Sequence, residues 1–220
     1  MSATFSLDRE GGALFDAAGR RFDAAARFWR EAGGSAGGSS GASRPAGTGE
    51  IVDVVAAATW LQRESGHPLR VPVGVIGPRE ATSAQAAAAF EIGEGLARCG
   101  FTVVCGGRHG VMQAVCEGVS RGGGLSIGLL PDADASHANP FVGVVIATGI
   151  GEARNALIAR ASFCLVAIGD SFGTLSEVAL GRQFGKPVIG LEGAARVEGV
   201  EHLAHARDAI ARVAALALSV

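Results

Sequence analysis

The sequence predicts an α/β fold: a doubly wound, mainly parallel sheet with helices on both faces, plus a small N-terminal appendage. Three observations carry this. Short apolar runs of strand length alternate with longer amphipathic stretches, the pattern of right-handed βαβ crossovers. A hydrophobic content of 48% with 34 glycines suits a sheet packed closely on both sides. The glycines also gather where predicted strands end, at Gly77, Gly106-Gly107, Gly149 with Gly151, and Gly169 with Gly173. That is the edge at which open parallel sheets bind ligands.

Three segments follow from composition. Residues 1–32 form the N-terminal appendage. Around Gly19, the stretches Ala13-Leu14-Phe15-Asp16 and Arg21-Phe22-Asp23 suit a hairpin, whereas Phe22, Ala25, Ala26 and Trp29 also share one face of a helix over 22–30; the sequence leaves both open. Residues 33–49, GGSAGGSSGASRPAGTG, are a flexible Gly/Ser-rich linker. The main domain is expected over 50–220. It opens with an amphipathic helix over 50–64, on which Ile51, Val54, Val55, Ala58 and Leu61 fall at helical spacing.

Strands are then expected over 70–77, 101–105, 125–130, 141–147, 162–168 and 187–191. Helices are expected over 81–98 and 111–120, after 152 and after 173, and over 201–218. Pro72 stands near a strand start, where a missing ladder donor is tolerated. The alanine run 86–89 suggests close packing on the sheet, and Gly100 caps the helix before it.

Composition also bounds function. A net charge of −2 gives no general nucleic-acid surface, and the absence of Tyr argues against stacking platforms for single strands. Cys99, Cys105, Cys116 and Cys164 lack CxxC spacing and lie in or beside apolar segments, as small buried hydrophobes of a reducing compartment do. There is no apolar run of membrane-span length, and MSATFSLDRE has neither the basic start nor the apolar core of a secretory signal. A cytoplasmic protein without membrane partners is the expectation.

The chemistry concentrates between Thr148 and Gly190. Thr148, Gly149 and Gly151 form a turn ahead of Glu152-Ala153-Arg154-Asn155 at a helix start. The apolar run 162–168 ends in Gly169-Asp170-Ser171-Phe172-Gly173-Thr174, and a second helix follows with Glu177 placed in its first turn. Strand, small-residue loop and helix N-terminus together aim unpaired N–H groups and a positive dipole end at one spot, which suits phosphate. Gly106-Gly107-Arg108-His109-Gly110-Val111-Met112 repeats the arrangement without spelling GxGxxG. Each loop alone is equally a plain turn, the second with Thr174 as cap; two on one sheet edge favour a shared anion site, with Gly77 beside them. Arg154 in a first helical turn opposes the dipole unless it faces an anionic ligand or a carboxylate. Glu177 suits a helix start and serves there equally as a cap. His109 has no metal-ligand spacing around it, and no metal site is expected. A nucleophile elbow and a Walker A lysine are both missing; Lys186 is the only lysine.

Taken together, GGRHGVMQAVCEGVSRGGGLSIGLLP and GEARNALIARASFCLVAIGDSFGTLSEVALGRQFGKPVIG resemble the LOG-like, lysine-decarboxylase-like Rossmann superfamily (SLOG). The likeness is to its branch of molybdenum-cofactor carrier proteins and bacterial relatives, distantly related to DNA-processing protein A, and spans about residues 70–192. It implies a Rossmann-like fold and a homodimer or homotetramer, with the apolar helices at 50–64 and 201–218 as contact surface. LOG phosphoribohydrolases carry an MxxRK motif and a Glu ending PGGxGTxxE. Arg154 keeps the arginine, with Asn155 for the lysine and Gly151 for the methionine. Gly173, Thr174 and Glu177 keep the second motif, while Asp170 and Ser171 replace its phosphate-cradling glycines. A carboxylate beside phosphate repels it unless paired, for instance with Arg108 or Arg154. Either the anion sits further along, toward Gly173 and Thr174, or the ligand differs.

Three readings result. One is a binding protein holding a nucleoside monophosphate or molybdopterin-type ligand on the two loops, favoured by Asn155 in place of the lysine. Another is a nucleoside 5′-monophosphate phosphoribohydrolase, with Arg154 on phosphate or ribose and Glu177 stabilising an oxocarbenium ion or activating water. The third is an oligomeric scaffold with a vestigial pocket.

Overall fold

The computed structural model describes residues 4–31 and 49–219. They divide into two compact units, one from residues 1–69 with 214–220 and the other spanning Arg70–Val213.

In the first unit, β1 (Thr4–Asp8), β2 (Ala13–Phe15), β3 (Arg21–Asp23), β4 (Phe28–Arg30) and β5 (Glu50–Asp53) form an antiparallel sheet of order β4-β3-β2-β1-β5. Of the two readings of residues 1–32, the hairpin is the one adopted. The Asp16 carboxylate accepts the N–H groups of Ala18 and Arg20 at 3.0 and 2.8 Å, and Gly19 turns the chain at φ 77°. No helix runs over 22–30. Asp23 instead accepts from the Ala26 N–H at 2.8 Å, Arg27 turns left-handed, and Trp29 packs on the rings of Phe5 and Phe22 at 5.7 and 5.0 Å.

The helix expected over 50–64 begins only at Val54. Residues Glu50–Asp53 pair with β1 from Leu7↔Glu50 to Thr4↔Asp53, and Asp53 then caps α1 (Val54–Arg63) by accepting from the Ala56 N–H. Backbone pairing to a distant strand outweighs the helical spacing of Ile51 and Val54. The units accordingly divide after Leu69, so β5 and α1 group with the N-terminal sheet, where the sequence placed a boundary at 50. The linker 33–49 lies, except for Gly49, outside the described residues.

The second unit holds β6 (Val73–Ile76), β7 (Val103–Cys105), β8 (Ser126–Leu130), β9 (Val144–Ala147), β10 (Cys164–Ile168), β11 (Val188–Leu191) and β12 (Val200–His202). All pair in parallel, in the order β12-β11-β10-β6-β7-β8-β9. The chain steps outward from β6 to β9, then returns through α4 (Arg154–Ala161) to β10 on the other side of β6. Right-handed crossovers therefore put α2 (Ser83–Cys99) and α3 (Val111–Arg121) on one face, and α4 and α5 (Phe172–Gln183) on the other. The doubly wound expectation holds. Strand β12 was not foreseen; two of its three residues, Glu201 and His202, fall in the span expected for the closing helix, which starts only at α6 (Ala206–Ala217). No described helix is long and apolar enough to cross a membrane.

Close helix packing comes from glycine rather than from the alanine run, of which only Ala89 is fully buried. Gly118 of α3 lies against the Phe90 carbonyl of α2, where a Cβ has no room. At the sheet centre, Leu165 on β10 is fully buried among Ile158, Ala167, Val178 and Val188. Gly74 on β6 and Gly181 on α5 both leave space for its methyl groups. Leu165→Ala should lower unfolding free energy by about 2–5 kcal/mol in a denaturant titration, with the far-ultraviolet spectrum kept.

Candidate functional site

The strand order reverses between β6 and β10, the kind of switch point at whose carboxyl edge open parallel sheets bind ligands. Gly77 follows β6 at this point. A Cβ on it would lie 2.6 Å from both the Ile168 carbonyl oxygen and Val111 Cγ1, so loops after three strands meet only because that position is bare. Gly110 (φ 66°) likewise stands against the Pro78 carbonyl, at 2.5 Å from a Cβ. The Val111 N–H donates to the same Pro78 oxygen at 3.1 Å. The expected free N-terminus of α3 is thus partly used up inside the protein.

Arg154 is the first residue of α4, and it is 4% exposed. Its Nη1 donates to Glu177 Oε1 at 2.9 Å and to Asn155 Oδ1 at 2.6 Å. Asn155 is itself oriented by donating to Ser176 Oγ at 2.8 Å. The other side of the guanidinium faces the first glycine loop: a Cβ on Gly106 would lie 2.5 Å from Arg154 Nη2 and 2.6 Å from Met112 Sδ. Loop β7–α3, helix α4 and helix α5 therefore converge on one cation. Arg154 Nε is buried without a hydrogen-bond partner. Glu177, 5% exposed, lies in the second turn of α5 rather than the first, so it caps nothing; its partner is Arg154. Burial pushes its carboxyl up to about 7, against the opposing pull of Arg154.

The loop after β10 keeps its own cap. Ser171, not Thr174, is the N-cap of α5, accepting the Thr174 N–H at 3.1 Å. The buried Thr174 hydroxyl pairs with Ser171 Oγ at 2.9 Å. A helix leaves its first N–H groups without internal acceptors, and Ser171 meets one of them, so those of Phe172 and Gly173 remain available. The Phe172 side chain is 96% exposed. Gly169 (φ 69°) has its missing side chain's place filled by the amide of Gln85. Asp170 is exposed and pairs with neither Arg108 nor Arg154.

Other expected site residues serve the frame. Arg108 is ion-paired to Asp132, with His137 near the same carboxylate at 3.6 Å, although its Nε, like that of Arg154, is buried without a hydrogen-bond partner. Thr148 Oγ1 donates to the Leu130 carbonyl at 2.7 Å, and the N–H groups of Gly149 and Gly151 go to the carbonyls of Asp132 and Pro131 at 3.0 and 2.9 Å. That turn ties β8 to β9 and uses the amides of both glycines within the protein. His109 is exposed against Gln113.

Residues not singled out from sequence hold the loops. Asn139, 3% exposed, donates its side-chain amide to the Gly107 and Arg108 carbonyls at 3.1 and 2.9 Å. Gln85 closes a capping box with Thr82 and donates Nε2 to the Glu192 carbonyl at 3.2 Å. The spacing Thr82-x-x-Gln85 was a readable mark of it, whereas Asn139 leaves none. The four cysteines are free and buried, and Cys105 Sγ lies 3.5 Å from Cys116 Sγ.

An all-parallel seven-stranded sheet with glycine loops meeting at its switch point is a Rossmann-like domain of the ligand-binding kind. The chain belongs to the SLOG cluster4 family, whose model matches residues 70–217. It is similar to the molybdenum cofactor binding protein of the phototrophic bacterium Rippkaea orientalis, with 31% identity, a TM-score of 0.64, and coverage of 67% of this chain and 98% of that one. The molybdenum cofactor carrier protein of Chlamydomonas reinhardtii matches at 32% identity and a TM-score of 0.62, over 69% of this chain and all of that one. An uncharacterised protein of Archaeoglobus fulgidus is 36% identical over 128 residues, 58% of this chain and 84% of its own length. With DNA processing protein A from Streptococcus pneumoniae the fold alone is shared, at 17% identity and a TM-score of 0.52, over 64% of this chain and 60% of that one. The suspected superfamily and branch are thereby shown, and the likeness supports a ligand-binding role.

Glu177 gives the site a measurable signature. A raised carboxyl pKa means the folded protein holds this proton more tightly than the unfolded chain does. The stabilisation is complete below about pH 4.5 and is lost as pH rises through about 7. Glu177→Gln should flatten this part of the stability profile. Between pH 5 and 8, wild type should lose on the order of 1–3 kcal/mol more than the variant in paired denaturant titrations.

Proposed function

We propose that this protein binds a small phosphorylated ligand, a nucleotide or a pterin phosphate of the molybdenum-cofactor type, in the crevice at the sheet's switch point. One observation carries the reading: the Arg154 guanidinium is buried between Gly106 and Glu177, and its Nε has no partner. A buried donor left unmet costs about 1–3 kcal/mol, which an anionic oxygen relieves. The free N–H groups at the start of α5 add a second donor set on the same edge, so the anion lies toward Gly173 and Thr174 rather than beside Asp170. Gly77, Gly106, Gly107, Gly110, Val111 and Met112 shape the wall. With Glu177 half protonated near neutrality, the pair carries part of a positive charge to offer.

These donors suit the phosphate end of a pterin ligand. Among the described residues no cluster of His, Cys, Asp and Glu suits a metal ion, so molybdenum would arrive within its own pterin as cargo. A net charge of −2 supports a small molecule over nucleic acid, and four free thiols fit a cytoplasmic setting. On α1 and α6 positions such as Leu61 and Val213 are buried within the chain, while Val54 and Val55 are half-buried. The exposed Leu157, Phe172 and Leu175 on α4 and α5 support placing the contact of the proposed homodimer or homotetramer there.

Thermal-shift and equilibrium-dialysis titrations with AMP, GMP, sulfate, molybdate and tungstate test the reading. A ligand at 100 times its Kd should raise stability by roughly 2.7 kcal/mol. Arg154→Ala should weaken nucleotide binding about 10- to 100-fold. Sulfate, divalent at every pH used, should bind more tightly at pH 6 than at pH 8, because protonating Glu177 frees the guanidinium; Glu177→Gln should lose that dependence. No shift with any of these probes, and no phosphorylated compound co-purifying by mass spectrometry, would end the proposal.

A second reading is favoured by the Glu177 carboxyl, which titrates near neutrality beside Arg154 and so suits general acid–base work. Arg154 would hold phosphate or ribose while Glu177 stabilises an oxocarbenium ion or activates water, releasing base and ribose 5-phosphate from a nucleoside 5′-monophosphate. Under this reading wild type releases free adenine from AMP, and Glu177→Gln slows release at least about 100-fold. AMP recovered intact after long incubation removes it and leaves binding.

A further inference from the structure

Asp170 stands where a phosphate-cradling glycine was expected, and its carboxylate has no hydrogen-bond or ion-pair partner among the described residues. It forms one wall of a cleft of about 440 Å³ at the carboxyl ends of β10 and β11. Its lining also carries Glu192, Arg196 and His202, all exposed. Gly190 lines it too, and a Cβ there would come within 2.9 Å of His202 Nδ1, so the imidazole is seated directly against the backbone. The cleft adjoins the start of α5 through Asp170, yet its chemistry differs from the anion cradle's. An acceptor-only carboxylate shares the lining with the Arg196 and His202 donors.

That pattern repels phosphate on the Asp170 side. It also gives a simple cation little net gain, since Arg196 lies among the carboxylates of Asp170 and Glu192. What it matches is a neutral heterocyclic edge with adjacent donors and a carbonyl acceptor. The volume lies in the range of ordinary small-molecule sites. We propose that this cleft is a base subsite, in which Asp170 accepts from the amino and ring N–H donors of a 2-amino-4-oxo heterocycle, the edge common to guanine and pterin, while Arg196 or His202 donates to its carbonyl. The inference rests on the phosphoryl-ligand reading above and narrows the ligand class within it. The substituted glycine then serves the end of the ligand away from the phosphate.

The test is equilibrium binding of GMP, IMP and AMP to the full chain, to Asp170→Asn and to Asp170→Gly. IMP lacks the 2-amino group, and AMP lacks the paired donors. Wild type should bind GMP at least about 10-fold more tightly than either. Both variants should bring GMP and IMP to one common level, below that of IMP on wild type because IMP keeps the ring N–H that Asp170 accepts, while leaving AMP within about twofold. Asp170 is exposed, so the melting temperature should hold, and retained sulfate binding checks the cradle separately. Equal affinity for all three nucleotides, or a GMP preference that survives in both variants, overturns the subsite. Equal binding that is lost in Arg154→Ala does so while leaving the anion reading intact. If neither sulfate nor any nucleotide binds, both readings fall.

Discussion

The Arg154–Glu177 ion pair is the constraint around which this sheet edge is arranged. Each partner is about nine-tenths buried or more, so each gives up most of its hydration. Such a pair contributes little net stability, but removing either member leaves an uncompensated charge inside the protein. Its surroundings follow from that. Gly106 has no side chain because the guanidinium occupies the space. Asn155 and Ser176 form a short relay that holds the arginine's orientation. Arg154 sits where the dipole of α4 opposes a cation, and the carboxylate from the next helix offsets that cost.

The glycine loops at the edge are not equivalent. Those after β7 and β9 spend backbone donors on neighbouring carbonyls, through Val111 to Pro78, Gly149 to Asp132 and Gly151 to Pro131. Their glycines allow the loops to touch. The start of α5 joins a glycine, open first-turn amides and a nearby buried guanidinium. Under the proposed reading the anion lies on the β10 side of the switch point, next to the cleft that Asp170 lines. A ligand spanning both places would present opposite polarity at its two ends.

Much of this was legible in the chain. Six of the seven parallel strands, the βαβ order and the loop positions were readable because each is marked locally, by a β-branched run or by glycine after a strand. Arg154 and Glu177 could be picked out by type and place. What was misread depended on distant partners: β5 looked helical until β1 was there to pair with it, and β12 is too short for periodicity to show. Arg108, offered from sequence as a partner for Asp170, pairs with Asp132 instead, 24 residues on, which nothing nearby in sequence reveals. Asn139 reaches back 32 residues to the Gly107 carbonyl, a contact without any local trace.

By itself, then, the sequence determined the class of fold and the edge of the sheet at which chemistry gathers, since periodicity, turn residues and helix starts act over a few residues. Only the tertiary structure decided which donors are already satisfied and which stay open. That distinction turns on carbonyls and carboxylates brought from other strands: each arginine keeps a buried Nε without a partner, but Arg108 is tied to Asp132 while Arg154 lies between Glu177 and the bare Gly106.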